Sequence, residues 1–584
     1  TGTVDTPSIA AGEKGDVSLD LPKIEKIAGA DYRITVQLKL KADETYRKAG
    51  HLVAYKQFVL AQPEPQPLAP ETLGKVAVQE NDKAFKVTGD AFSVVVDKKS
   101  GRLVSLQYGD NEMLDNQSGP VPNLFRAATD NGQGLSRSWY AAGLDKLEHR
   151  SKRTRVSHKT DHAVQISTQL VSQAKDNAFY AESSIAYTIL GDGRVIVDSV
   201  IFPSNEKLQL PRIGTSTVLA PGLENVTYYG RGPEENYADR KLSQNIDRYT
   251  TTVTDMYESY ARPQTMGNRS DTDWLTLTDA DGAGVMIKAA QPVSFSALHF
   301  SDQDLVGKKH PYAIPVRKAT VLNLDADQTG LGGASCGPGC MAEYIATGAR
   351  ALRYTILPIQ KGQDPTELNR SAVKVGASVM IDRNPKGELI LSTSGEGEIE
   401  LSLNQQKATA YEAPVKFLKG GTIAAHTVTK GVIPGVVTTR TYEEQLDRSG
   451  WKVSASSEET GEGFARHTID GDPNTFWHTQ WQNAVAAYPH NIDINFGETL
   501  SLDGVTVQPR LGNGNGRIKG YRIEVSTDGK KWKTVAKGKL PNSGGKQTVK
   551  FKRTAKASHL RLVALSSHNG PWATLAELGV IKAK

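Results

Sequence analysis

The stretch RVIVDSVIF (194–202) decides the fold class. Its β-branched and aromatic residues recur with the period of a strand, not of a helix. The same texture returns along the chain in YRITVQLKL (32–40), AFSVVVD (91–97), DWLTLTD (273–279), GYRIEVS (520–526) and HLRLVAL (559–565). Turn signals separate such runs: DKKSG, GDG, DADG and DGKK. Helical periodicity is confined to RSWYAAGLDKLEHR (137–150) and TTRTYEEQLDR (438–448), which predict two short helices. Many short strands joined by tight turns predict an all-β chain of several β-sandwiches. An α/β barrel would need repeated strand–helix units of about 30 residues.

The 584 residues exceed one hydrophobic core and set an expectation of about three to five domains. Hydrophobic residues at 38% and charged residues at 23% exclude a disordered chain. No run of about 18 apolar residues exists, so no membrane span is expected. The opening TGTVDTPSIAAGEKG lacks a basic n-region and an apolar core, so no signal peptide is visible. The chain starts in mid-pattern, which sets the expectation of a longer parent protein.

Of the net charge of +6, the excess sits in residues 444–584, with 20 basic against 13 acidic residues. Lys530, Lys531, Lys533, Lys537 and Lys539 are spread singly over strands and turns, where they protect sheet edges. No basic helix or nucleic-acid motif accompanies them, and no nucleic-acid partner is expected. Cys336 and Cys340 lie in GGASCGPGC as free thiols or a tight local disulfide. No further His or Cys flanks them to complete a zinc site.

Three breaks punctuate the chain: QPEPQPLAPE (62–71), KGQDPTELNR (361–370) and TYEEQLDRSG (441–450). They delimit a first unit at 1–61, a linker at 62–76, a large β unit at 77–360, a small β unit at 365–440 and a compact sandwich at 444–584. The first unit is too short to close a sandwich. Its open strand edge predicts association into homo-oligomers.

GRGPEENYADRK (230–241) and MYESYARPQTMGNRSDTDWLTL (256–277) gather carboxylates, arginines and aromatics in polar loops. Such loops line a pocket or pin a long connection. The segment resembles the signature of the large β-sandwich that follows the barrel in long-form β-galactosidases of glycoside hydrolase family 2. NLFRAATDNGQG (123–134), DQTGLGGASCGPG (327–339) and KAGHLVAYKQFVLAQ (48–62) agree with that family in order and spacing. The resemblance covers about residues 1–360. It implies a partial immunoglobulin-like domain at 1–61 and a β-galactosidase-type supersandwich at 77–360.

The family hydrolyses terminal β-galactosides with retention, using two glutamates about 5 Å apart on barrel strand ends. The resemblance places that barrel outside these residues, as a catalytic partner from the same polypeptide, and leaves this segment without catalytic residues of its own. The Asn-Glu pairs at Asn111–Glu112 and Asn205–Glu206 read as turn residues. Arg126, Asp130, Asn131, Glu234, Glu235, Asn236 and Asp239 are the candidates for the cleft wall; domain packing is their structural alternative. The family's sugar-platform tryptophan is missing from the Gly-Gly loop, where Cys336 or Gly337 stands.

The small unit, with its alternating ELILST (388–393) and EIELSL (398–403), is similar to immunoglobulin-like spacers of bacterial sugar hydrolases. After it, WKVSASSEE (451–459), ARHTIDGDPNTFWHTQW (465–481), DINFG (493–497), VQPR (507–510), GRIKGYRIEVSTDGKKW (516–532) and LAELGV (575–580) follow in order. This resembles the discoidin or coagulation factor type C fold, and in particular carbohydrate-binding module family 32, a jelly-roll sandwich.

HTIDGDPNT places carboxylate, carbonyl and hydroxyl oxygens on one tight loop, the donor type that calcium prefers. An Asx-turn without metal is the alternative. The resemblance implies a structural calcium held by His467, Asp470, Asp472, Thr475, Ala576 and Glu577. It implies a sugar site of His478, Arg510, Asn515 and Trp572, with Asn513 as a substitute for Asn515. An aromatic face with polar donors suits galactose-type rings. The alternatives are a core histidine for His478, a loop ion pair for Arg510 and a core role for Trp481. The implied partners are β-galactoside-containing glycans, in the periplasm or outside the cell. The competing expectations are a stand-alone carbohydrate-binding protein and a spacer that binds protein or lipid.

Overall fold

The computed structural model describes every residue except Thr1, Asp176, Ala178, Ser335, Pro385, Gly512, Asn513 and Lys584. The chain divides into two compact units: Thr1–Ala69 with Gln363–Val373, and Pro70–Gly362 with Lys374–Lys584.

In the first unit, Tyr32–Lys39 and Leu52–Ala61 form an antiparallel ribbon. Ile34 stands opposite Phe58 and Leu38 opposite Ala54, so one face of the ribbon is apolar. Phe58 and Leu38 are each 50% exposed all the same. Two strands alone bury too little surface for independent stability. Gln66–Leu68, inside the stretch read as a linker, pairs in parallel with Ser371–Val373. Residues 365–373, read from the sequence as the start of the small β unit, therefore cluster with this ribbon.

The second unit is built around a twelve-stranded sheet. Its path runs from Glu148–Lys159 through Ala163–Gln173, Tyr180–Leu190, Val195–Pro203, Arg350–Ile359, Gly284–Leu298, Arg269–Thr278 and Asn225–Gly232 to Asn245–Thr252. A branch pairs Arg212–Leu219 with Thr320–Gln328 and with Val121–Asn123. A five-stranded sheet spanning Ala77–Glu80 to Asn111–Glu112 shares its core, where Phe85, Val94 and Leu106 join Val164, Ile185 and Tyr187.

Every residue of Val195–Pro203 is buried. Val195 and Val197 enter the main core, while Val200 and Phe202 on the opposite face pack with Val379, Ile381 and Leu391 of the small β unit. A strand covered on both faces reads as a continuous apolar run. Asp198 and Ser199 are the polar exceptions, and Asp198, the charged one, is 1% exposed. Asp198 accepts from Arg353 Nε at 3.1 Å and from Ser378 Oγ at 2.8 Å. Arg353 also donates to the carbonyls of Val375 and Gly376, at 3.2 and 2.6 Å. One ion pair with a buried carboxylate thus fastens the small β unit to the large sheet.

The small unit consists of a three-stranded sheet, Val379–Arg383, Glu388–Thr393 and Val415–Lys416, and a four-stranded sheet from Thr409–Ala410 to Thr438–Tyr442. The helix expected over 438–448 is absent. Thr438–Tyr442 is instead a strand paired with Gly421–Val428, as its three β-branched threonines favour. The helix expected over 137–150 is displaced to Gln133–Ala141, and Glu148 already begins a strand. Gly143, at φ 71°, closes that helix.

The C-terminal module is a jelly-roll sandwich around Trp451, Trp477, Ile492, Ile494, Leu560 and Leu562. His490–Gln508 runs 19 residues and serves both ends of it. Its first part pairs with Gln547–Ser567 and its last part also with Glu577–Lys582, with register shifts between Asn495 and Leu500 and between Leu502 and Gly504. These breaks bend the strand across the module. Trp477–His478 and Thr574–Leu575 pair at one end, bringing the 467–481 loop beside Glu577. Among the described residues no helix is long and apolar enough to cross a membrane.

Candidate functional site

The loops singled out in the large sandwich converge on the Gly-Gly segment. Arg126, 1% exposed, donates to the carbonyls of Thr329 and Gly330 at 2.5 and 3.1 Å. Asp239 accepts from the amides of Leu331 and Gly332 at 2.9 and 2.7 Å. Asn131 donates to the Gly332 carbonyl at 2.9 Å. These three side chains hold the loop by its backbone.

Asn236 is fully buried. It accepts from Ser270 N at 2.9 Å and donates to the carbonyls of Arg231 and Glu234, so it pins its own loop. Glu235 binds the Tyr260 hydroxyl and accepts from Gly267 N at 2.8 Å. Asp130 and Glu234 stay exposed at the surface. Beneath lies an ionic cluster that sequence reading missed. Arg212 stands 3.2 Å from Asp302 and 3.5 Å from Asp325, all of them buried. Asp302 in turn accepts from Ala127 N, next to Arg126. Cys336 is exposed and Cys340 half-buried, and both are free thiols.

A polar cavity of about 210 Å³ lies between the large and small β units, lined by Lys152, Gln169, Glu182, Thr439 and Thr441 among others. Its charges are spent internally: Lys152 pairs with Glu182 at 2.7 Å, and Glu182 also accepts from Thr441 N.

In the C-terminal module the 467–475 loop folds on its own oxygens. Thr475 Oγ1 donates to Asp470 Oδ2 at 2.8 Å and lies 3.0 Å from the Asp472 carbonyl. Gly471, at φ 83°, makes the turn that a side chain would strain. Its amide donates to Glu577 Oε1 at 2.7 Å. Glu577 also meets the Asp470 carboxyl, and burial foremost pushes it up to about 7 while Arg448, 2.7 Å away, opposes that shift. Two carboxylates face to face favour a proton or a cation between them. Asp470 and Glu577, with the Asp472 carbonyl and Thr475 hydroxyl beside them, therefore fit a hard cation. His467 and Ala576 belong to the same implied set through their carbonyls. The His467 ring itself turns elsewhere, to the Phe476 carbonyl at 3.1 Å. Among the described residues no three His, Cys, Asp or Glu side chains cluster. The implied set draws on two carboxylates and would complete itself with backbone and hydroxyl oxygens.

At the same end of the module, His478 is 5% exposed and its Nδ1 lies 2.5 Å from the Thr479 carbonyl. A carbonyl only accepts, so Nδ1 carries the hydrogen and Nε2 of the neutral ring is left as an acceptor. Burial foremost holds this histidine below its ordinary pKa, with the Arg510 charge adding to the effect. The Trp572 ring stands 6.1 Å from the imidazole. It lies over Gly570, where a Cβ would come within 2.5 Å of the indole. Arg510 stacks its guanidinium 3.8 Å from the centroid of Phe476, and its carbonyl receives Arg517 at 3.1 and 3.2 Å. The Asn515 carbonyl accepts from Thr574 Oγ1 at 3.0 Å, tying that loop to the strand Thr574–Leu575 that follows Trp572. Asn513 lies outside the described residues.

An aromatic face, an imidazole acceptor and a guanidinium donor thus share one loop cluster. Three residues missed from the sequence support it. Phe476 carries Arg510. Gly463 lets its loop approach the His478 backbone, where a Cβ would meet His478 N at 3.0 Å. Glu459, fully buried, accepts from Trp481 N and Gln482 N. Trp481 is not a core residue: it is 42% exposed.

Comparison with known proteins assigns these regions to families. Residues 88–357 match the model "Beta galactosidase small chain". Residues 1–61 match "Beta-galactosidase, domain 4", and 452–578 match "F5/8 type C domain". A β-galactosidase of Priestia megaterium is 31% identical over 332 residues, covering 56% of this chain and 31% of that protein. One of Halalkalibacterium halodurans is 31% identical over 338 residues, covering 56% and 32%. The chain spans about a third of the length of the curated relatives it matches. Among solved structures, CpGH89CBM32-5 of Clostridium perfringens, in complex with GalNAc-β-1,3-galactose, is 36% identical. It covers 23% of this chain and 96% of its own, with a TM-score of 0.22. The family 32 module of C. perfringens NanJ, in complex with galactose, is 32% identical, with coverages of 23% and 94% and a TM-score of 0.22. The chain resembles the C-terminal portion of a long-form β-galactosidase that ends in an F5/8 type C module.

Proposed function

We propose that this chain is the non-catalytic, sugar-gripping region of a retaining β-galactosidase that hydrolyses terminal β-galactosides. In this reading the reactive carboxylate pair belongs to a catalytic barrel of the full-length enzyme, and these residues alone do not turn over substrate. The large sandwich contributes a wall of the cleft through the loop held by Arg126, Asn131 and Asp239. The C-terminal module binds β-galactoside-containing glycans and keeps the enzyme near its substrate, raising the local concentration. A glycan-tethering module suits an enzyme that works in the periplasm or outside the cell.

One observation carries the sugar-binding part: His478, Arg510 and the Trp572 face stand together, with the imidazole tautomer set to accept. A pyranose stacks its C–H face on the indole, while its hydroxyls donate to Nε2 and accept from the guanidinium. Calcium would be held by Asp470, Glu577, Thr475 and the carbonyls of His467, Asp472 and Ala576. When bound it supplies positive charge that joins the 467–475 loop to the last strand. Calorimetric titration of galactose into the chain tests the reading. Binding that is lost in Arg510→Ala and Trp572→Ala is the expected result, and unchanged binding in both rejects the site. Hydrolysis of a nitrophenyl galactoside by the purified 584-residue chain would reject the non-catalytic assignment.

A further inference from the structure

Charge along the last long strands of the C-terminal module has a single sign. Between Asp528 and Glu577 the chain carries eleven lysines and arginines and no carboxylate. Arg561 pairs with Asp493 at 2.7 Å and Lys546 with Glu443 at 3.1 Å. Among the described residues the other nine have no carboxylate within ion-pair distance, and all nine are exposed.

The strands sort these charges into rows. Val549 is buried and Phe551 packs on the core of the module, so Lys550 and Lys552 point outward at the alternate positions. Lys556 follows on the same strand. In Lys533–Lys539, Val535 and Ala536 pack on that core, and Lys537 stands opposite Arg522 of the neighbouring strand. Alternate residues on a strand lie about 7 Å apart, so each row repeats its charge at a regular spacing. The connection between the rows is closed by Gln547 Nε2, which donates to the Pro541 carbonyl at 3.1 Å, and the two strands touch. The rows are therefore neighbours.

Both rows lie on strands with a free edge. Among the described strands, Lys533–Lys539 pairs only with Ile518–Ser526, and residues 547–557 pair only with residues 500–507. Lysines guard such edges against unwanted pairing. Mixed signs would guard them as well, without the self-repulsion that one sign brings. An unbroken positive sign exceeds what edge protection requires.

We propose that the two rows form a docking surface for an acidic polysaccharide, built from residues other than His478, Arg510 and Trp572. Lysine ammonium groups are compact point charges that suit carboxylates or sulfates spaced along an extended chain. A single-stranded nucleic acid would call for aromatic rings on which its bases stack. Here Phe551 packs on the core, and the Trp532 ring is covered by the Arg561 guanidinium at 4.1 Å. A lipid surface would call for apolar side chains to enter it. Among the described residues no large apolar side chain between 530 and 556 is exposed.

Calorimetry on the full chain tests the proposal, with carboxymethyl dextran as the probe and uncharged dextran as its match. The charged polymer should bind and dextran should not. Raising the salt from about 50 to about 200 mM should weaken binding roughly ten-fold or more, as released counterions require. Lys537→Glu, Lys550→Glu and Lys552→Glu combined should weaken it by a similar factor. The corresponding glutamine variant removes charge without reversing it and should weaken binding by a smaller factor, which keeps the test open if the glutamates disturb the fold. Excess galactose should not displace the polymer. Absence of binding, or full binding in the glutamine variant, would overturn the proposal. Displacement by galactose would overturn it by assigning the polymer to the other residues. Tighter binding of an oligonucleotide or of phosphatidylglycerol vesicles at the same salt would overturn it in favour of that partner.

Discussion

Lys207, in the turn after strand Val195–Pro203, forms an ion pair with Asp472 in the oxygen-rich loop of the C-terminal module. Asn205 and Asn474 meet beside it at 3.4 Å, and Glu206 between them pairs with Arg440 of the small β unit. One turn of the large sandwich therefore touches both following modules. Arg448, on the segment entering the last module, reaches Glu577 of the same loop region.

Calcium is expected to act at this junction. Adding it should raise the melting temperature of the chain with rising concentration, as any ligand specific to the folded state does. Glu577→Ala should abolish the shift. Lys207→Ala should leave it nearly intact, because an exposed ion pair contributes roughly 0–1 kcal/mol. Differential scanning calorimetry with and without chelator distinguishes these outcomes. No calcium-dependent shift in the wild type would dismiss the metal.

Sugar binding should depend on pH through His478. In the proposed site its neutral Nε2 takes a sugar hydroxyl, so protonation would turn the acceptor into a donor and abolish binding. Burial holds this histidine below the ordinary value of 6.5, with the Arg510 charge adding to the effect. Affinity for galactose should therefore be flat through neutrality and fall only on acidification below 6.5. A midpoint above 6.5 in a titration series would contradict the neutral acceptor.

Much of this was legible in the sequence because it is local. HTIDGDPNT announces its turn through Asp470, Gly471 and Asp472, and the structure keeps these residues in contact with one another. Alternation in AFSVVVD or GYRIEVS predicts strands because one face is covered and the other is wet. RVIVDSVIF is different, since it is covered on both faces by partners far away in the chain. Nothing local says that Asp198 meets Arg353, 155 positions on. TTRTYEEQLDR looked helical through its charged second half, but its threonines found a strand partner in Gly421–Val428. Arg126 and Asn236 carry the polar chemistry of a site. Their partners are backbone groups of distant loops, and composition does not disclose these.

Asp198→Ala should be among the most destabilising single changes in the second unit. It strands the Arg353 guanidinium beside a buried strand and leaves Ser378 Oγ without its acceptor. Removing one partner of a fully buried pair costs about 3–5 kcal/mol, and the partly exposed Arg353 places this loss toward or below the lower end of that range. Chemical denaturation should show that loss, and the small β unit should become sensitive to protease first. A change below about 1 kcal/mol would mean that the pair does not fasten the two sheets.

Stability should also fall in acid through His149. It is held by Ser172 Oγ at 2.8 Å, and burial foremost, then the charge of Arg102, lowers its pKa to about 4. The unfolded chain takes up the proton near 6.5, whereas the folded protein resists until about 4. The stability from the neutral ring is thus complete above pH 6.5 and is lost as pH falls between 6.5 and 4. The full loss is about 3 kcal/mol. His149→Gln should flatten that part of the pH–stability curve, and an unaltered slope would refute the assignment.

The ribbon of the first unit should associate. Leu38 and Phe58 are each half exposed on the same apolar face, and Leu60 adds a further exposed apolar side chain on the same strand. A pair of strands with an open edge and an uncovered face gains by pairing with another copy. Light scattering should therefore report oligomers that grow with protein concentration, the association expected from the open strand edge in the sequence. Phe58→Lys should lower the association without changing the melting temperature of the second unit, because the substitution lies in the first. A wild type that stays monomeric at the highest concentration reached would show that this face is covered in some other way.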